Sequence, residues 1–401
     1  MKTIKLFLQL IVLSLILFSC KNYVTNVDPL VTDVEDSQLN TEKQIPFLIR
    51  GVEIKFGDAF GQTDVCSAGL SDAFIFPINV PAIHRVNYIE IDEGKIQLTN
   101  NDIDAAYDAV GQLRFYADDL VRRVNSISIS DISVKNNALF TGYFYGGYAR
   151  YLYAAYFGLN PTEGGSPIDN SPFIGSKEMY DLAIGYFVES IKYLTDELKI
   201  RIVNSVIARA YLYKGDYAKS VIYAKNGMIN DDATFLALYN TVESNAWWAN
   251  AGNLLSEFVA DFRFKNFIDA DPNEANRIKL DSVLSSDNVM YYFQAIYPES
   301  SSPQKIITWQ ENNLIKAELI LRGMESGNAK ELVNEVRASH GIAPLSSVDL
   351  DMLLTERDKE LFASGNRLVD ERRFNKWHLG PGTWEYLPVT EAERNGNPNI
   401  N

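Results

Sequence analysis

Between Ala138 and Leu159 the sequence reads ALFTGYFYGGYARYLYAAYFGL, with Arg150 as its one charged residue. Phe140, Tyr143, Phe144, Tyr148, Tyr151, Leu152 and Ala155 recur at three-and-four spacing, which lines them along one face of an α-helix. So long an aromatic face has to be covered by other elements, so the chain must stack further helices against it. Gly146 and Gly147 weaken helix propensity but let a neighbouring backbone come close. Composition agrees with a globular body: 46% hydrophobic and 22% charged residues in a chain of 401 exclude disorder and fibre.

Other segments supply the partners. The spacing predicts helices over 101–124 and over Ser176–Asp196, the latter N-capped by Ser176 with Ala183, Phe187, Ile191 and Leu194 inward. Residues 204–228 (NSVIARAYLYKGDYAKSVIYAKNGM) resemble a tetratricopeptide repeat, in which small residues at Ala208 and Ser220 let two helices cross around the Lys214-Gly215-Asp216 turn. A second copy keeps the register, because Ala317 precedes Ala329 by the same 12 residues as Ala208 precedes Ser220. Asn328 and Glu331 form a capping box there, Gly341 a C-cap, and a further helix runs from Asp349 to Ser364 and stops at Gly365. Residues 46–100, 229–307 and 374–401 read as largely irregular, broken by Gly, Pro and Asn. The fold class is mainly α: tetratricopeptide-like helical hairpins that stack and support an irregular, loop-rich portion where a binding site is built.

The N-terminus sets the location. Lys2 and Lys5 precede an apolar run from Leu6 to Phe18 that ends Ser19-Cys20, the order of a bacterial lipoprotein signal. Cleavage before Cys20 and acylation of its thiol and amine would anchor the protein to a membrane by lipid alone. The expected organisation is a leader over 1–19, a lipidated tether over 20–44, and a body over 45–401. Within the body, 45–230 carries the repeat-like helices, 231–306 the variable loops and 307–401 the C-terminal part. Cys66 is left without a partner and reads as a small buried hydrophobe.

Chemistry is sparse. A net charge of −15 argues against nucleic acid, since phosphate binding needs clustered Lys and Arg. No phosphate-loop, dinucleotide, zinc-protease or nucleophile-elbow motif occurs, and the three His, at 84, 340 and 378, stand far apart in sequence. Asp269, Asp271 and Asn273 begin like a calcium loop, but Glu274 takes the glycine position and Leu280 the position of the bidentate Glu. The charged run TERDKELFASGNRLVDERRF reads as internal ion pairs. No catalytic residue, metal ligand or cofactor is expected. A lipid-anchored glycoside hydrolase would need two carboxylates facing each other across a cleft.

Aromatics fit sugars better. Their flat C–H faces stack on Trp and Tyr while Asn, Asp and Arg bond the hydroxyls. Asn245-Ala246-Trp247-Trp248-Ala249-Asn250 is the best such segment, with Asn245, Trp247, Trp248 and Asn250 as candidate ligand residues. Asp72, Phe74 and Phe76 form a second candidate group. Trp309, Trp377 and Trp384 are assigned to packing.

Residues 307–341 (ITWQENNLIKAELILRGMESGNAKELVNEVRASHG) and 355–374 (TERDKELFASGNRLVDERRF) resemble the SusD/RagB family of Bacteroidetes outer-membrane lipoproteins. The ending YLPVTEAERNGNPNI, the repeat at 204–228 and the aromatic helix followed by FGLNPTEGGSPI resemble that family in the same order. The resemblance implies tetratricopeptide units cradling an irregular ligand-binding portion, no catalysis, and a position over a TonB-dependent transporter of the SusC type. It implies an oligosaccharide ligand, or a peptide in some branches. The chain is short for that family, and Ile103 stands near the place of a Trp early in the 101–124 helix. A tetratricopeptide scaffold that binds another protein is the alternative from the repeat alone.

Overall fold

A computed structural model describes residues 36–400, so the leader, the candidate lipidation site Cys20 and most of the tether lie outside the described residues. The helices among these are α1 (Ile45–Leu70), α2 (Arg85–Asp92), α3 (Asn101–Ser126), α4 (Ile132–Tyr156), α5 (Ser176–Ile191), α6 (Glu197–Lys214) and α7 (Tyr217–Lys225). They continue as α8 (Ala246–Asn250), α9 (Phe262–Ala270), α10 (Trp309–Leu321), α11 (Ala329–Ser339), α12 (Leu350–Glu360), α13 (Asn366–Arg373) and α14 (Glu391–Gly396). The strands are short: β1 (Phe74–Ile75), β2 (Phe157–Asn160), β3 (Glu163–Ser166), β4 (Ile174–Gly175) and β5 (Phe235–Ala237). The later five are β6 (Val259–Ala260), β7 (Leu280–Leu284), β8 (Met290–Gln294), β9 (Gln304–Ile307) and β10 (Leu387–Pro388). They form an antiparallel β1-β6-β8-β7 sheet, a β10-β2-β3-β4 sheet in which β10 runs parallel to β2, and a β5-β9 pair. The chain is mainly α.

α4 is the aromatic helix of the sequence, and it is sandwiched between α3 and α5. From Ala138 to Tyr156 every residue of it is buried except Tyr143, which stacks on Tyr193 with ring centroids 5.8 Å apart. Its small residues set the spacing, because a Cβ on Gly142 would lie 3.0 Å from the Ala117 carbonyl in α3, and one on Gly147 would lie 2.9 Å from the Phe187 ring in α5. α6 and α7 form the repeat-like hairpin: Gly215 turns the chain at φ +86, and the buried Ser220 hydroxyl donates to the Ala208 carbonyl at 2.8 Å. The second hairpin is α10–α11, with Ala317 and Ala329 buried and the Asn328 side chain accepting the Glu331 N–H at 3.3 Å.

Three boundaries differ from the sequence reading. Residues 45–70, read as part of an irregular stretch, are the 26-residue helix α1. From Ala59 on, α1 is buried at every position but Gln62 and carries no clean apolar stripe there, and a Cβ on Gly61 would lie 2.9 Å from the Tyr239 hydroxyl. α5 ends at Ile191 rather than Asp196, because Asp196 instead caps α6, accepting from the Leu198 N–H at 2.9 Å. Ser176 does not cap α5; its hydroxyl donates to the Ala154 carbonyl at 2.6 Å. α12 ends at Glu360, and Gly365 opens α13 instead, tight against Asp64.

The end of the expected tether is docked. Glu42 accepts the Ser130 and Asp131 N–H groups at 3.0 and 2.9 Å, and these bonds hold its carboxyl below the usual range.

The C-terminal charges are ion pairs, as their spacing suggests. Arg357, with no exposed surface, donates to Asp370 at 2.7 Å, and Arg373 bridges Asp370 and Glu318 at 2.7 Å each. Burial would push the Asp370 carboxyl up, yet the two guanidiniums hold it below the ordinary range. Beside them Arg277 is shared by Glu274 and Glu356, at 2.7 Å to each.

Candidate ligand-binding site

α8 is a short helix whose start is fixed by Asn245. The Asn245 side-chain oxygen accepts the Trp247 and Trp248 N–H groups at 2.8 and 3.3 Å, and its amide donates to the Ser302 carbonyl at 2.8 Å. Asn245 is therefore fully buried and occupied by the backbone. The helix sends its two tryptophans different ways. Trp247 is 0% exposed, with its ring centroid 5.0 Å from Phe74, which in turn stacks on Phe362 at 5.5 Å. Trp248 is half-buried.

The other candidate group is likewise mostly interior. Phe74 and Phe76 are buried, the latter edge-on to Tyr88 and Phe258 at 6.2 and 6.3 Å. Asp72 is held by Arg367 at 2.6 and 2.7 Å and by Arg263 at 2.8 Å. Burial opposes its charge, but Arg367 and its other partners hold its carboxyl far below the usual range. In this conformation Trp247, Phe74, Phe76, Asn245 and Asp72 present no free face or free acceptor to a ligand. Trp248 and Asn250 do.

Asn250 lines a cleft of about 240 Å³ between α8 and the middle of α1, with Asp58, Gln62, Tyr88, Asp102 and Glu243. Asp58 and Gln62 come from α1, one helical turn apart, where Gln62 donates to Asp58. Asp102 accepts the Asn87 amide at 2.7 Å and lies 3.9 Å from His84; burial pushes its carboxyl up, against these two. His84 is in turn 2.7 Å from Glu257, which also accepts the His84 N–H at 3.0 Å. Glu257 thus pins the loop that carries Ile78 and Ile83, both exposed, at 59% and 73%. Val242, on the cleft lining, is 85% exposed. Polar acceptors and amides beside the apolar Val242 suit a hydroxyl-rich ligand. Asp58 and Gln62, four residues apart and so on one helix face, were the available signal for this wall; nothing in the sequence tied it to Asn250.

The remaining His also pair with carboxylates, His340 with Glu360 and His378 with Glu371, at 2.9 Å each. Among the described residues no group of His, Cys, Asp or Glu could hold a metal ion. Asp271 caps a turn at 272–276, accepting the Asn273 N–H at 3.0 Å. Cys66 is buried on the cleft's inner side, and burial pushes its thiol far up.

No protein-family model matches the sequence, and no curated protein matches it. Solved structures do match. A SusD superfamily protein from Bacteroides thetaiotaomicron superposes with TM-score 0.72 at 16% identity, covering 90% of this chain and 99% of that one. The chain has the SusD-like fold. A surface glycan-binding protein A from the same organism superposes with TM-score 0.70 at 13% identity, over 90% and 98% of the two chains. A laminarin-binding SusD-like protein gives TM-score 0.70 at 15% identity over the same shares. Each of these matches covers 90% of the chain. No described helix is long and apolar enough to cross a membrane.

Proposed function

We propose that this protein is a lipid-anchored, outer-membrane glycan-binding protein that captures an oligosaccharide at the cell exterior and passes it to a SusC-type TonB-dependent transporter. The reading is carried by the near-full-length likeness to SusD-like proteins, two of which bear the names of glycan binders. The leader over 1–19 and Cys20 supply the anchor. The ligand lies in the cleft at Asn250, Asp58, Gln62, Asp102 and Glu243, bonding to the carboxylates and amides, and the indole of Trp248, on α8 but outside that lining, is a separate stacking candidate. The protein acts by binding, without catalysis.

Calorimetry of the chain starting at Lys21, against purified oligosaccharides and peptides, tests this. Saturable binding of one glycan, weakened at least about tenfold by Trp248→Ala or Asn250→Ala, supports the reading. Binding of peptides alone, or a glycan whose affinity ignores both substitutions, overturns the ligand class or its place.

A further inference from the structure

A second cleft, of about 470 Å³, opens at the other side of α3, between its first half, α4, the loop at 167–170 and α14. Its rim is built. The Asn397 amide donates to the Asp169 and Ser171 carbonyls at 3.0 Å each, and Asn399 donates to the Asn170 carbonyl at 2.7 Å, so the C-terminal tail holds the loop in place. Asp169 sits at φ +51, a left-handed conformation that this clamp maintains.

The lining charge is unbalanced. Asp104, Asp108, Asp169 and Glu393 face the cleft, and Arg114 is the one cation among its lining residues. Arg114 is already shared between Asp118, at 3.2 Å, and Asp169. Arg394, next to Glu393, gives its guanidinium to the Val389 and Leu159 carbonyls instead. Asp104, Asp108 and Glu393 therefore make no ion pair among the described residues. Burial and nearby Asp169 push the Glu393 carboxyl up, against the Asn397 amide and Arg114.

Two hydroxyls at the cleft have no partner either, and the one on Thr390 is fully buried. Tyr153, 3% exposed, donates to and accepts from no described residue; a Cβ on Gly111 in the opposite wall would lie 3.4 Å from its hydroxyl. Thr390, 1% exposed, lines the cleft with its hydroxyl unsatisfied. By contrast, Tyr107 in the same wall is bonded to Ser166 at 2.8 Å. Buried polar groups without partners are uncommon in folded proteins and mark places where something else supplies the bond.

We infer that this cleft is a binding site for a small organic cation, a primary ammonium or guanidinium, seated between Asp104, Asp108 and Glu393 with its N–H groups on the Tyr153 and Thr390 hydroxyls. An N–H donor satisfies carboxylates and hydroxyl oxygens together, and a positive charge offsets the excess that Arg114 leaves. A bare metal ion fits less well, since no three of these acids converge closely enough to hold one. The site is separate from the cleft beside α8, so its test stands whether or not a glycan binds there.

The test is calorimetry of the chain starting at Lys21 with agmatine and with 1,4-diaminobutane, using calcium chloride and a neutral oligosaccharide as comparisons at matched ionic strength. One saturable site for an amine, weakened at least about tenfold by Asp108→Asn or Glu393→Gln and severalfold by Tyr153→Phe, with Trp248→Ala unchanged, is the expected result. Both acids are exposed enough for their amides to fold, which circular dichroism checks. No saturable amine binding, amine binding that survives both amide substitutions, or preference for calcium or the neutral sugar would overturn the assignment.

Discussion

Around Arg357 the charges close on one another: Asp370, Arg373 and Glu318 are each buried, and each carboxylate has two guanidinium contacts at hydrogen-bonding distance. In the cleft beside α8 the same residue types are left open. Asp58 and Asp102 meet amides, and Glu243 is exposed, as is Val242 on the same lining. The first region uses charge to lock α10, α12 and α13 together, where any missing partner leaves a charge stranded in low dielectric. The second keeps acceptors that water or a ligand can satisfy. A surface meant to exchange partners has to retain free acceptors, and a joint pairs each of its carboxylates with cations.

That contrast breaks most sharply at Arg357. Replacing it by Ala strands Asp370 beside a single remaining cation and should cost about 3–5 kcal/mol in urea unfolding. Asp102→Asn, on the cleft wall, keeps its bond to Asn87 and should change stability by less than about 1 kcal/mol. Equal losses at the two positions would erase the distinction. The adjacent tryptophans repeat the test within one helix. Trp247→Ala opens a void against Phe74 and Tyr297 and should cost about 3–5 kcal/mol, whereas Trp248→Ala should cost about 1 kcal/mol or less and act on ligand affinity. A Trp248 variant as unstable as the Trp247 one would make both residues core.

The helical half was legible because its signals are local. The period of α4, the twelve-residue offset between Ala208 and Ser220, and the Asp349 and Asn328 caps each depend on residues within a few turns. The site was legible only in part. Adjacent residues 247 and 248 look alike in sequence, and only the packing of Phe74, more than 170 positions earlier, takes one of them inside. Asp72 looked free for the same reason, since its partners Arg263 and Arg367 come from distant segments. α1 escaped notice because its second half, from Ala59 to Leu70, is buried at every position but Gln62 and so shows no alternation of polar and apolar faces.

Asp64 lies between the two regions, on α1 and fully buried, with the Gln304 amide at 2.7 Å. Burial pushes its carboxyl up to about 7, against Arg209, the Gly365 N–H and Gln304. The folded state therefore holds a proton that the unfolded chain releases near pH 4. Its contribution is complete below about pH 4 and is lost as the pH rises through about 7, at up to about 1.4 kcal/mol per pH unit. Subtracting the pH profile of Asp64→Asn from that of the parent should leave this falling slope between pH 4 and 7. A flat or rising difference would mean that Asp64 is ionised when folded, and that Arg209 pairs with it as the C-terminal cations pair with Asp370.

The smallest effect probes the hairpin that the sequence predicted best. Ser220 is buried and donates to the Ala208 carbonyl, a group that already accepts within its own helix, so the hydroxyl is the partner that needs the bond. Ser220→Ala removes donor and need together, leaves a methyl where repeat hairpins want a small residue, and should cost only about 1 kcal/mol. Ser220→Val keeps no hydroxyl either but adds two methyl groups at the crossing of α6 and α7, and should cost about 1–3 kcal/mol through overpacking. If Val is tolerated as well as Ala, the close crossing is not what positions α7, and the hairpin owes its geometry to the Gly215 turn alone.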